Sequence, residues 1–157
     1  MRHFVEMLDA LSAEEAEFLL IGGYALASYG APRATGDFDI WVRPSRENAA
    51  KVDRALLRFG APVIAHGATA DDFERAGVVY QIGLPPQRID LVTSISGVDF
   101  DEAWSHRKCE TFLGRPVDVM SREDFIQNTR ASKRPKDLLD ILGLEDVMRA
   151  EKEAVPE

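Results

Sequence analysis

Short apolar runs alternate with helical spacing along the first half of the chain. Apolar residues three and four positions apart predict an amphipathic helix over His3–Leu11. A continuous apolar run at Phe18–Ile21 is typical of a buried strand, and a short helical stretch follows at Tyr24–Tyr29. A second strand is predicted over Asp37–Val42, and the helix after it, Ser45–Phe59, starts with an N-cap serine and has one apolar face. Strands and helices therefore alternate in this half.

The second half of the chain is richer in short strands. Its pattern predicts two hairpin-like pairs, with strands at Val78–Ile82, Arg88–Ser94, Cys109–Leu113 and Pro116–Val119. Two helices follow, one opened by Ser121 and one that runs from Pro135 to about Met148. This order of elements predicts an α+β (mixed α/β) fold. We assign residues 1–120 to a core, 121–150 to a C-terminal helical extension of the same domain and 151–157 to a flexible tail.

Composition limits the function classes that the chain can serve. Its 157 residues suffice for one domain with a real core. A formal net charge of −8 argues against broad electrostatic binding of DNA. The single cysteine, Cys109, excludes an internal disulfide and a cysteine-rich metal site. No apolar stretch approaches the ~20 residues of a membrane-spanning helix, so we expect no membrane partner and a cytoplasmic location.

Two aspartates on the second predicted strand indicate metal chemistry. Asp37 and Asp39 are two residues apart, so strand alternation places both carboxylates on one face, about 6.7 Å apart along the strand. A cation relieves the repulsion between such charges, and Mg²⁺ is commonly held by one or two carboxylates together with substrate phosphates. Gly22 and Gly23, between a strand and a helix, would let a phosphate approach the backbone. Taken separately, the glycines fit a plain turn and the aspartates a solvated strand face.

The segment that contains these residues resembles a known protein family. Gly22–Ile40, with GG at its start and DFDI at its end, is similar to the signature of the DNA polymerase beta-like nucleotidyltransferase superfamily. It resembles in particular the AbiEii-type (abortive-infection toxin) members, which share an Arg-x-Thr, here Arg33 and Thr35, before the Asp-x-Asp. The resemblance implies a minimal nucleotidyltransferase fold, in which helices flank a small mixed sheet on one side and a helical C-terminal extension follows.

Two aspartates compete for the role of a third carboxylate, which such sites use to complete the metal ligands or to accept a proton. Asp90 and Asp118 both lie in apolar strand patterns, so the pattern alone leaves the choice open. The RIDLVTSI context of Asp90 looks like the third-carboxylate strand of the family. The resemblance therefore favours Asp90, and Asp118 would be a rim residue paired with Arg115.

The activity implied by the resemblance is metal-dependent transfer of an NMP from an NTP, such as ATP, to a hydroxyl of RNA or protein. The cofactor would be Mg²⁺ or Mn²⁺. The implied catalytic and metal-binding residues are Asp37, Asp39 and Asp90, and the implied nucleotide-binding residues are Gly22, Gly23, Arg33, Thr35 and Lys133. A toxin–antitoxin or phage-defence role is also implied, with a cognate antitoxin or regulator protein as partner.

One position departs from the family pattern. Relatives commonly carry a lysine eight residues before the aspartate that matches Asp137, where it is thought to meet the triphosphate; this chain has Thr129 there. Thr129 offers only a neutral hydroxyl, so we expect weak NTP binding if this helix borders the phosphates. Lys133, one turn later, has a side chain long enough to reach back and is the candidate for a compensating contact. The alternative is a non-catalytic nucleotide- or partner-binding module with an eroded site.

Overall fold

The computed structural model describes residues 2–31, 36–84 and 87–154, with the backbone alone for residues 136 and 137. Within these ranges the helices are α1 (Arg2–Ala13), α2 (Gly22–Ser28), α3 (Arg46–Phe59), α4 (Ala70–Glu74), α5 (Phe100–Ser105), α6 (Arg122–Ser132) and α7 (Pro135–Ala154). The strands are β1 (Phe18–Ile21), β2 (Phe38–Val42), β3 (Val79–Ile82), β4 (Ile89–Val92), β5 (Lys108–Phe112) and β6 (Arg115–Val119).

Most predicted elements lie close to their expected bounds, and three differences matter. α2 begins at Gly22 rather than Tyr24, because the chain turns directly from β1 into the helix. β2 begins at Phe38, so Asp37 precedes the strand. α7 continues through Ala154, so the first part of the segment predicted as a flexible tail is helical.

The strands form one mixed sheet in the order β3-β4-β2-β1-β6-β5. β2 pairs antiparallel with β1 and parallel with β4, and β1 pairs parallel with β6. At the edges, β3 and β5 complete antiparallel pairs with β4 and β6, as the sequence predicts. The mixed sheet and its helices confirm the predicted fold class.

Helices cover both faces of the sheet. On β1, Leu20 belongs to the cluster completed by α1 and α3, whereas Leu19 and Ile21 pack with α5, α6 and α7. Trp41 of β2 shares this second face, since alternate side chains of a strand point to the same side. The one-sided arrangement implied by the resemblance is therefore wrong here, because the C-terminal extension encloses the other face. Asp39, two residues before Trp41, projects to that second face.

Polar contacts hold the C-terminal extension on the core. Gln127 Nε2 of α6 donates to the Gly97 carbonyl at 2.6 Å, and Asn128 Nδ2 donates to the Ser96 carbonyl at 2.9 Å. Leu144 of α7 is fully buried in the cluster on the second face. Within the described ranges, no helix is both long enough and apolar enough to cross a membrane.

A buried amide joins the start of β1 and the end of β2 to α3. Asn48 is 3% exposed, and its Oδ1 accepts the Glu17 N–H at 2.7 Å. Its Nδ2 donates to the carbonyls of Glu17 at 2.9 Å and Arg43 at 3.0 Å. Ser45 Oγ accepts the Asn48 N–H, which confirms the predicted N-cap. One side chain therefore satisfies three backbone groups where two strands and a helix meet.

We predict that Asn48→Ala lowers the free energy of unfolding by about 2–4 kcal/mol, because each unsatisfied buried polar group costs about 1–3 kcal/mol. Urea unfolding followed by circular dichroism measures this loss. Glu47→Ala is the control, since the Glu47 side chain is 86% exposed and its ion pair with Lys51 is on the surface; about 0.5 kcal/mol or less is expected. A loss below about 1 kcal/mol for Asn48→Ala would mean that the backbone groups find other partners.

Candidate active site

The register between β2 and β4 places two carboxylates side by side. The strands are parallel, and the Cα atoms of Asp39 and Asp90 are direct partners. On its other side Asp39 is paired with Ile21, the last residue of β1. Neighbouring strands lie about 4.8 Å apart, and residues directly opposite each other project to the same face. Asp39 and Asp90 therefore share one face near the ends of three central strands.

An arginine joins two of the three predicted acids. Arg88 Nε donates to Asp90 Oδ1 at 2.8 Å, and its Nη2 donates to Asp90 Oδ2 at 3.2 Å and to Asp37 Oδ2 at 3.1 Å. The Arg88 carbonyl accepts the Phe38 N–H at 2.8 Å, so the arginine backbone is fixed to the start of β2. The guanidinium thus binds carboxylates from two neighbouring segments and brings Asp37 into the group around Asp90.

The carboxylates keep this guanidinium charged. The hydrogen bond to Asp90 raises the pKa of Arg88, and the negative charges of Asp90, Asp37 and Asp39 raise it further, against the opposing effect of burial. Arginine is protonated at any pH at which a protein is folded, and here its neighbours reinforce that state. Three acids thus act on one arginine, and grouped carboxylates are the ligands that a hard divalent cation prefers.

Asp39 lies against the backbone at the start of α2. A Cβ added at Gly22 would stand 2.2 Å from Asp39 Oδ2, so no side chain fits at this position. Gly22 also has a φ of 69°, a left-handed conformation that glycine adopts without strain. Gly23 follows within α2 and is buried. The glycine is therefore needed both for the turn out of β1 and for the close approach of the carboxylate.

These residues fit a hard divalent cation. Carboxylate oxygens are the ligands that Mg²⁺ and Mn²⁺ prefer, and three acids meet here. Two of them already bind a cationic group, the Arg88 guanidinium. The third, Asp39, occupies the space that a side chain at Gly22 would need.

The predicted site residues fall into two groups. The structure brings together Asp37, Asp39, Asp90, Gly22 and Gly23. Arg33 and Thr35 lie outside the described residues. Arg88 was missed, although its spacing of two residues from Asp90 on a predicted strand places both side chains on one face.

Asp118, the rival third carboxylate, lies elsewhere on the sheet. It is on β6, which is separated from β4 by β2 and β1, roughly 14 Å at about 4.8 Å per strand spacing. Asp118 Oδ2 pairs with Arg107 Nε at 3.6 Å. Arg115, its predicted partner, instead pairs with Asp9 at 2.6 Å. The geometry therefore groups Asp90, not Asp118, with the Asp37–Asp39 pair.

Thr129 does not border an open site. It is 4% exposed, and its Oγ1 donates to the Ile126 carbonyl at 3.0 Å within α6. A side chain enclosed in this way cannot contact a triphosphate, so the expectation taken from the lysine of the relatives is wrong for this position.

Among the described residues, no hydrogen bond or ion pair links Lys133 to the three carboxylates. It is the exposed C-cap of α6, with a φ of 57°, and within the described part of the chain its ammonium has no ion-pair partner. α6 is anchored to Ser96 and Gly97, which follow β4, whereas Arg88 precedes that strand. The predicted contact of Lys133 with a nucleotide gains no support from this arrangement.

A second polar cluster connects α5 to α6. His106 Nδ1 lies 3.0 Å from Oδ2 of the buried Asp124, and Glu102, His106 and Asp124 each have one ligand atom within 4.8 Å of those of the other two. Ser121 Oγ accepts the Asp124 N–H, which confirms the predicted start of α6. These residues line part of an open groove of about 630 Å³. The carboxylate at the helix N-terminus and its histidine partner fasten the extension to α5.

Comparisons with known proteins bear on the fold. No family model matches the chain, and no curated protein does. Among solved structures, a Thermotoga maritima protein, for which nucleotidyltransferase is itself a proposed assignment, aligns with a TM-score of 0.55 at 16% identity. The alignment covers 96% of this chain and 88% of that one. At this identity the structural likeness establishes a shared fold. It assigns no role to the residues of the carboxylate cluster.

We predict that Gly22→Ala lowers the free energy of unfolding by about 2–5 kcal/mol. An alanine held in the left-handed backbone conformation costs about 1–2 kcal/mol, and displacement of Asp39 by the new Cβ adds about 1–3 kcal/mol. Gly114→Ala is the matched control, because Gly114 has a φ of 81° but nothing lies within 4 Å of an added Cβ. Thermal and urea unfolding measure both variants. Equal losses would contradict the close approach of Asp39 to Gly22.

Thr129→Lys is expected to destabilise the protein by about 2–5 kcal/mol, because it places an unpaired charge among buried residues. Thr129→Val is the control of similar shape; it removes one hydroxyl and should cost about 1 kcal/mol. Denaturant unfolding checks the difference between the two. A Thr129→Lys protein as stable as the wild type would show that this side chain reaches solvent, which would restore the position as a candidate nucleotide contact.

Proposed function

We propose that this chain is a divalent-metal-dependent nucleotidyltransferase that moves an NMP from an NTP to a hydroxyl acceptor. The observation that carries the proposal is the meeting of Asp37, Asp39 and Asp90 beside Gly22. The shared fold with the Thermotoga maritima protein is consistent with it. The resemblance of the Gly22–Ile40 segment supports the same activity.

Asp37, Asp39 and Asp90 would hold Mg²⁺ or Mn²⁺ through their carboxylate oxygens. When bound, the metal would neutralise charge on the triphosphate and favour the ionised form of the acceptor hydroxyl. Asp39 and Asp90 suit this task because the pairing of β2 with β4 fixes their separation. Gly22 and Gly23, the first two residues of α2, would let the phosphates approach the backbone at the start of this helix.

Asp90 would also accept the proton of the acceptor hydroxyl. The hydroxyl oxygen then attacks the α-phosphorus, and the bond from that phosphorus to the oxygen bridging the β-phosphate breaks. Pyrophosphate leaves with the electron pair of the broken bond, and the NMP remains on the acceptor. In this scheme the chain supplies positioning and charge, which account for most of the catalysis in phosphoryl transfer.

Substrates and biological setting rest on the resemblance. ATP is the NTP that we propose to test first, with RNA or a protein as the acceptor. A cytoplasmic toxin–antitoxin or phage-defence component, controlled by a cognate antitoxin or regulator protein, is the corresponding role. Arg33 and Thr35, which come shortly before Asp37 in the chain, are proposed to contact the phosphates.

The proposal predicts transfer of label from α-³²P-labelled NTPs to RNA or protein in the presence of Mg²⁺ or Mn²⁺. Asp39→Asn and Asp90→Asn should each reduce transfer by about 10²–10⁴-fold, the usual contribution of a general base and at least that of a metal ligand. Asp118→Asn is the control, because that aspartate lies on β6 outside the cluster, and it should keep wild-type transfer.

Binding and transfer together separate this function from its rival. A wild-type protein that binds metal–NTP and transfers nothing to RNA, protein or lysate would favour the non-catalytic nucleotide-binding module. Loss of transfer in Asp118→Asn with normal transfer in Asp90→Asn would reverse the assignment of the third carboxylate.

A further inference from the structure

Arg88 uses the same oxygen atoms that a metal would need. Both carboxylate oxygens of Asp90 and Oδ2 of Asp37 accept hydrogen bonds from its guanidinium. The side chains are only partly accessible, 12% for Asp90, 27% for Arg88 and 32% for Asp37. A divalent ion that takes these same oxygens of Asp37 and Asp90 therefore competes with the guanidinium for them.

The displaced arginine needs another anionic partner. It cannot become neutral, because an arginine side chain stays protonated at any pH at which a protein is folded. The Arg88 backbone cannot move away freely, because its carbonyl accepts a hydrogen bond from the Phe38 N–H at the start of β2. Only the side chain can swing, and it stays within its own length of Asp90. An anion that arrives with the metal would satisfy it.

We propose that Arg88 is a triphosphate-binding residue that holds Asp37 and Asp90 while the site is empty of nucleotide and exchanges them for a phosphate when metal–NTP binds. The proposal rests on the nucleotidyltransferase function proposed above. Carboxylate and phosphate present similar pairs of oxygens, and the planar guanidinium binds either of them through two parallel hydrogen bonds. Arg88 thereby supplies the cationic phosphate contact that Thr129, buried in α6, cannot make.

This exchange couples the two ligands. Metal alone must compete with the guanidinium and leaves it unpaired, so it binds weakly. Metal together with an NTP removes the competition, since the phosphates take the arginine as the carboxylates take the metal. Without substrate, Arg88 therefore lowers the affinity of the site for metal ions. Because each ligand raises the affinity for the other, metal and nucleotide bind with positive cooperativity.

Arg88→Gln separates the two roles of the arginine. Mn²⁺ alone, titrated calorimetrically and by electron paramagnetic resonance, should bind the variant about tenfold or more tightly than the wild type. A non-hydrolysable NTP analogue with Mn²⁺ should bind it about tenfold or more weakly. Arg107→Gln is the matched control: it breaks another arginine–aspartate pair, with Asp118, and should change neither affinity.

Several outcomes overturn the proposal. An arginine that serves only as a structural partner of the acids would leave nucleotide affinity unchanged in Arg88→Gln. Unchanged Mn²⁺ affinity would show that guanidinium and metal do not compete. If Arg88→Gln fails to fold, Arg88→Lys keeps the charge but loses the paired hydrogen bonds, and it should show the same two changes in smaller size; no change in either would be equally negative.

The wild type provides a measurement that needs no variant. Its Mn²⁺ affinity should rise about tenfold or more when the NTP analogue is present, and equal affinity with and without the analogue overturns the exchange. Failure of the proposed function looks different: the opposed affinity changes in Arg88→Gln would persist while no NTP gives transfer to any acceptor.

Discussion

The parallel pairing of β2 with β4 is the constraint on which the candidate site depends. It sets Asp39 directly opposite Asp90, and that arrangement brings two negative charges to one strand spacing. Such repulsion must be balanced by a positive charge. Arg88 provides it in the structure, and a divalent ion would do so in the proposed reaction. The contact of Arg88 with Asp90 and the proposed metal contact both depend on this register.

The packing around the sheet keeps this register fixed. Phe38 and Ile40 on one face of β2 and Trp41 on the other are essentially inaccessible to solvent. The Phe38 ring stacks on Phe4 of α1 at 4.7 Å, which holds the residue between the two aspartates in place. A slip of one position would turn Asp39 into this apolar layer, so the hydrophobic core and the carboxylate pair support each other.

The sequence could predict those strands and site residues that are marked by the residues next to them. It could not predict features that depend on contacts between distant parts of the chain. The spacing of Asp37 and Asp39 predicted that they lie close together, and the apolar alternation around them predicted the strand, which in the structure begins after Asp37. Asp90 required the family resemblance, because the pattern around Asp118 is equally strand-like. Arg88 was missed although its spacing from Asp90 is a local signal; its contact with Asp37 depends on how distant segments pair. The burial of Thr129 depends on how α6 packs, which neighbouring residues do not encode.

The cover of helices on both faces of the sheet also decides from which direction a large molecule can arrive. Among the described residues, α1 and α3 pack on one face and α5 to α7 on the other, and the carboxylates lie along the rim where β1 ends and β2 and β4 begin. An acceptor for the proposed reaction would then have to present its hydroxyl along this rim. A chain terminus or an exposed loop suits such an approach better than the interior of a duplex or a flat protein surface.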